Sequence, residues 1–77
     1  MRKRRRELEY LVVIEKSRNG YGAFSPDLPG CVALGDTVQE VKRLIKSAIR
    51  FHIEGLRQDG LKVPTPKSRI DYVRVAA

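Results

Sequence analysis

The sequence predicts an α+β domain, a small antiparallel sheet with one helix packed on one face, in the order β-β-β-α-β. Three observations carry that expectation. Two short apolar runs flank Asn19-Gly20, the strongest short-range hairpin signal. A proline–glycine corner, Pro26-Asp27-Leu28-Pro29-Gly30, divides the second run from a third. Thr37-Val38-Gln39-Glu40 then opens a stretch whose apolar residues recur with helical period.

Residues 8–16 read as the first strand, with Leu8, Tyr10, Val12 and Ile14 on one side. Leu11 and Val13, on the other side, are apolar too. A strand apolar on both faces is usually covered on both, and one helix covers one face of a small sheet. Leu11 and Val13 are therefore expected at an interface with a second subunit. Asn19-Gly20 turns the chain into a returning strand at residues 21–25, where Gly22 marks either a bulge or a place where a neighbouring side chain needs room.

Pro26 ends that strand and biases Ser25 toward extended geometry. Pro29-Gly30 supplies the fixed φ and the permissive φ of a type II turn. Asp27 is expected to accept a hydrogen bond from a backbone amide within this corner. Residues 31–34 form a short third strand, stopped by Gly35-Asp36. Thr37 reads as a helix N-cap, with Glu40 reaching back to the cap amide as in a capping box. The helix should run from Val38 to about residue 57, its inward stripe formed by Val38, Val41, Ile45, Ala48, Ile49, His52, Ile53 and Leu56. Lys42, Arg43, Lys46 and Arg50 fall mostly on the opposite face, and Gly60 suits a left-handed C-terminal cap. Pro64 and Pro66 punctuate a connector, after which residues 69–75 read as a last strand.

Composition narrows the function classes. The chain has 77 residues, one domain's worth, preceded by a basic flexible tail at residues 1–7. Its formal net charge is +7, but five of the sixteen basic residues are Arg2, Lys3, Arg4, Arg5 and Arg6, and the rest of the chain is close to balance. That run steers a chain toward phosphate backbones without selecting bases; with Lys42, Arg43, Lys46 and Arg50 it forms the candidate nucleic-acid surface. One cysteine and no apolar run long enough to span a membrane fit a cytoplasmic setting. Carboxylates are scattered, no nucleophile lies beside His52, and the glycines mark turns, not a phosphate loop. No enzyme, cofactor or metal site is expected. A domain this small buries only about 60% of its unfolded surface, which favours association with another chain.

The stretch Gly20-Tyr21-Gly22-Ala23-Phe24-Ser25-Pro26-Asp27-Leu28-Pro29-Gly30-Cys31, followed by Gly35-Asp36-Thr37 and Glu40, resembles the N-terminal domain of HicB-like antitoxins. The likeness continues through Ala48-Ile49, His52, Gly60 and Val63-Pro64-Thr65-Pro66, so it covers roughly residues 11–68 of a domain at residues 8–77. The resemblance implies a partial ribonuclease-H-like fold without ribonuclease-H catalysis, and dimers or tetramers. It also implies a small HicA-like toxin as partner, a messenger-RNA-cleaving protein that the domain masks. Tyr21, Ala23, Phe24, Asp27 and Leu28 are the partner-facing residues it implies. Gly20, Gly22, Pro26, Pro29, Gly30, Thr37, Glu40 and Gly60 are expected to be structural. Many relatives carry a C-terminal operator-binding segment, for which the residues after the connector leave no room. An RNA-binding toxin is basic, so its inhibitor should offer a complementary surface; the net basic charge of this chain runs against that and keeps two alternatives open, a small nucleic-acid-binding module and an orphan oligomeric domain without a toxin partner.

Overall fold

The computed structural model describes residues 7–77. Three strands, β1 (Val13–Ser17), β2 (Gly20–Phe24) and β3 (Val32–Gly35), form an antiparallel sheet in the order β1-β2-β3, and one helix, α1 (Val38–Gln58), follows. The α+β class with one helix on a three-stranded sheet is as the sequence predicts. The basic run at residues 2–6 lies outside the described residues.

β1 is shorter than expected at its start because it has no partner there. Val13 pairs with Phe24 at the last position of β2, and Pro26 cannot extend that ladder. Residues 8–12 therefore run on unpaired, although Tyr10 and Val12 still pack against the core. The hairpin turn is centred on Arg18 and Asn19, one residue earlier than the Asn-Gly pair implies. Asn19 keeps a negative φ, and Gly20 alone carries the positive value, 154°.

The corner after β2 consists of two successive turns, each with proline at its second position. Leu28 N–H donates to the Ser25 carbonyl (3.1 Å) and Cys31 N–H to the Leu28 carbonyl (3.1 Å). Gly30 has φ 84°, as the type II geometry requires. The double turn drives Leu28 into the interior, where its exposure is 0%, like that of Val41. Ala23, Cys31 and Ile45 complete the buried core, flanked by Tyr10, Val12, Ile14, Tyr21, Ala33, Ala48 and Ile49.

Helix α1 packs chiefly across β3 and then β2. Its start is fixed by two bonds. Glu40 N–H donates to Thr37 Oγ1 (3.1 Å), and Glu40 Oε1 accepts from Asp36 N–H (2.6 Å), one residue before the expected cap amide. Gly35 lets β3 run directly into this turn: a Cβ there would stand 2.9 Å from Val41 N and 3.1 Å from Val41 Cα. At the far end, Gly60 N–H bonds the Arg57 carbonyl and Leu61 N–H the Leu56 carbonyl, the paired closure of a Schellman motif. Gly60 takes the left-handed φ of 70° that this motif needs.

The expected last strand is the main departure. Residues 61–77 carry no regular secondary structure, and residues 69–75 do not join the sheet. Pro64 and Pro66 remove two backbone donors. Residues 67 and 68 are bonded to Asp27 at the corner, so the chain leaves from the end of the sheet and not alongside an edge strand.

Two substitutions of opposite sign test the close approach at the helix start. Gly35→Ala must push backbone against backbone and should cost about 1–3 kcal/mol. Gly55→Ala, whose Cβ meets nothing within 4 Å, should stabilise the helix by about 0.5–1 kcal/mol. Thermal melts separate them, since about 1 kcal/mol shifts Tm by roughly 4–8 °C in a domain of this size.

Candidate functional site

The ladder sorts the strand residues onto two faces. Ile14, Ala23 and Ala33 stand in one row toward α1, and Lys16, Tyr21 and Gly35 in the next. Val13, Phe24 and Val32, with Glu15, Gly22 and Leu34, point the other way. No part of α1 covers this second face. Val13 is half-buried, while Phe24, Val32 and Leu34 are exposed. Leu11, two residues before Val13 and half-buried, continues its alternation. The one charged residue contributed to this face by the paired strand positions is Glu15. The cations of the helix, Lys42, Arg43, Lys46 and Arg50, are exposed on α1, the element packed against the opposite side of the sheet. Gly22 sits in an unbroken register, and a Cβ there would meet Leu34 Cδ2 at 3.5 Å, an ordinary contact, so no neighbour requires the glycine. It marks no bulge.

The five partner-facing candidates do not share a surface. Ala23 and Leu28 are core, and Asp27 is buried in the corner. Tyr21 lies on the helix side, half-buried, with the Lys16 ammonium 5.2 Å from its ring centroid. Phe24 alone of the five stands on the open face. Val32, Leu34 and Phe51 are exposed apolar residues that the sequence reading did not single out. The alternation of Val32 and Leu34 in β3 was a signal for the first two. Phe51 falls off the inward stripe of the helix, and only that misfit marked it.

Asp27 acts well beyond its own turn. Its Oδ2 accepts from the backbone N–H groups of Lys67 (3.0 Å) and Ser68 (2.9 Å), and its Oδ1 from Ser68 Oγ (2.8 Å). The expected partner within the corner is replaced by a segment forty residues later in the chain. These bonds, first those of the Ser68 and Lys67 amides, hold the carboxyl below its ordinary pKa of 3.8. Tyr10 secures the same connector by donating to the Pro64 carbonyl (2.5 Å), and burial raises its phenol pKa. Asp27 and Tyr10 thus tie the connector to the β2–β3 corner and to the residues leading into β1.

The remaining candidates are structural or chemically quiet. Thr37 and Glu40 are engaged at the helix start. Burial pushes the Cys31 thiol pKa up, which disfavours the thiolate needed for nucleophilic chemistry. His52 is half-buried and lines a shallow groove with Cys31 and Phe51. Among the described residues, no group of three or more His, Cys, Asp or Glu is placed to hold a metal ion. No helix among them is long and apolar enough to cross a membrane.

Comparison with known proteins agrees with this architecture. The chain belongs to the HicB-like antitoxin family of bacterial toxin–antitoxin systems, whose family model matches residues 10–76. It is 41% identical over 64 residues to a 14.9 kDa protein from the rep–hol intergenic region of Haemophilus phage HP1, covering 83% of this chain and 48% of that protein. The chain therefore spans about half the length of the phage relative. A UPF0150 protein of Helicobacter pylori is 43% identical over 58 residues, covering 75% of this chain and 81% of that one. Among solved structures, a chain of the HicA3 and HicB3 toxin–antitoxin complex is 32% identical with a TM-score of 0.67, covering 77% of this chain and 70% of that chain.

The Asp27 bonds make a pH prediction. A carboxyl with a lowered folded-state pKa stabilises the fold fully above its unfolded-state value, and that contribution is lost as pH falls through the lowered pKa. The wild type should lose part of its stability on acidification from the ordinary carboxylate range downward. Asp27→Asn should be less stable at neutral pH and lack that step. Its amides at residues 67 and 68 should exchange faster with deuterium. Equal acid profiles for the two proteins would contradict the assignment.

Proposed function

We propose that the protein is the antitoxin of a toxin–antitoxin pair: it binds a small HicA-like, RNA-cleaving toxin in the cytoplasm and masks its RNA-binding surface. Masking is stoichiometric and asks for no catalytic residue. The observation that carries this reading is the family match across residues 10–76. The likeness to a chain of the HicA3 and HicB3 complex supports it.

The open sheet face is the surface best suited to such a toxin. An RNA-binding protein presents cations, and this face combines the apolar Val13, Phe24, Val32 and Leu34 with the carboxylate of Glu15. Local complementarity therefore survives the basic net charge of the chain. Phe24, with Leu11 and Val13 beside it, is the proposed anchor. Ala23, Asp27 and Leu28 contribute by shaping the corner behind it, and Tyr21 borders the opposite side.

A second reading draws on Lys42, Lys46 and Arg50, four residues apart and all exposed. This ridge, with Arg43 and the run Arg2, Lys3, Arg4, Arg5 and Arg6, would bind nucleic acid with an affinity that falls steeply with salt.

Co-expression with a HicA-like protein encoded beside it distinguishes the two. The antitoxin reading expects a co-purifying complex and suppressed RNA cleavage, with Phe24→Asp weakening the complex at least tenfold, or about 1.4 kcal/mol. No complex and undiminished cleavage would overturn it. Salt-dependent nucleic-acid binding that disappears when residues 2–6 are deleted would favour the second reading.

A further inference from the structure

The segment beyond the Asp27 bonds has the composition of a strand and none of a strand's partners. In Arg69-Ile70-Asp71-Tyr72-Val73-Arg74-Val75, β-branched and aromatic residues dominate. Ile70, Tyr72, Val73 and Val75 are 64%, 87%, 82% and 74% exposed. The one side-chain hydrogen bond described within this segment is local, from Tyr72 N–H to Asp71 Oδ1 (2.8 Å). A run of apolar side chains on unpaired backbone is a template for pairing with another strand.

The fold also offers an unpaired edge. β3 is bonded to β2 on one side only. Beside it, between the start of β3 and the second half of α1, runs a groove of about 400 Å³ lined by Cys31, Val32, Ala48, Phe51, His52 and Leu56, with Asp59 also at its wall. Phe51 and Val32 are 79% and 64% exposed there.

We propose that residues 69–75 form a β-strand donated to a second copy of the chain, pairing with the free edge of its β3. Each copy carries both halves of this contact, the strand and the edge, so the exchange is reciprocal and closes as a two-fold dimer. Charge selects β3 over β1. The donated strand carries Arg69 and Arg74 against Asp71, and the β3 groove offers Asp59. The groove beside β1 is flanked by Lys42 and Lys46 with Glu9 alone against them, so on balance it repels arginines. Two Tyr72 and two Phe51 rings bring about 600–1,000 Å² of aromatic side chain into the contact. That is a large part of the roughly 1,200 Å² a stable interface requires. The contact is independent of toxin binding through Phe24.

The test is the mass of the full chain by sedimentation across concentration, with three proteins. The wild type should be dimeric. Val73→Pro removes a ladder donor from a residue that is exposed within its own chain, and should raise the dimer dissociation constant at least tenfold without changing helix content. Phe51→Glu should do the same from the acceptor side. Toxin capture by Val73→Pro should match the wild type. A monomeric wild type, or an undiminished dimer of either variant, would overturn the proposal.

Discussion

A three-stranded sheet that is apolar on both faces and has one helix can enclose only one of them, and much of this protein's surface chemistry follows from that mismatch. Helix α1 encloses the row of Ile14, Ala23 and Ala33, where Ala23, Leu28, Cys31, Val41 and Ile45 form the buried core. Small residues at Ala23, Ala33 and Gly35 let the helix settle close to the sheet. The reverse face keeps Phe24, Val32 and Leu34 in solvent. Exposed apolar residues scattered singly need no explanation, but a row of them on neighbouring strands is the kind of surface a partner covers. Mismatch and proposed binding surface are the same feature.

The Asp27 carboxylate shows how this small core is kept in one arrangement. The double turn places Leu28 at its centre, and Asp27, the residue before it, holds residues 67 and 68. Burial of Leu28 and docking of the connector are therefore coupled through adjacent residues. A polar group in that position, left unbonded, would cost more than its bond contributes. Three donors converge on the carboxylate, so Asp27 is satisfied only when the connector is in place. The chain thereby closes a contact of long sequence separation without a fourth strand.

Much of this was legible in the sequence because it rests on local rules. The Thr37 cap, the Pro29-Gly30 turn, the Gly60 closure and the helical stripe from Val41 to Leu56 are each decided within a few residues, and each is where its pattern implies; Val38, expected at the head of that stripe, is exposed at the helix start. The hairpin slipped by one residue because Gly20 alone supplies the positive φ, leaving Asn19 in an ordinary conformation. What the pattern could not reveal was pairing. Residues 8–12 and 69–75 have strand composition, but whether they join a ladder depends on where β2 ends and where Asp27 holds the connector. The same limit applied to the candidate surface. Ala23, Asp27 and Leu28 belong to the motif that carries the family resemblance, and that motif builds the interior corner. The face that meets solvent is read from the register, which turns Val32 and Leu34 to the side of Phe24.

Assembly and stability are linked in such a chain. A domain of this size has little stability to spare, and any partner that binds only the folded state raises it by mass action. The open face, the β3 edge and the extended residues 69–75 each leave apolar surface in water that a partner would remove. A toxin held on the Phe24 face and a strand added at β3 would act on the same sheet from different directions. The added strand widens the platform by one strand of about 4.8 Å, and its side chains alternate between the open face and the groove by Phe51. One row of the donated strand would then lie level with Phe24, Val32 and Leu34 but beyond the β3 edge, so that pairing of two copies leaves the proposed toxin face uncovered.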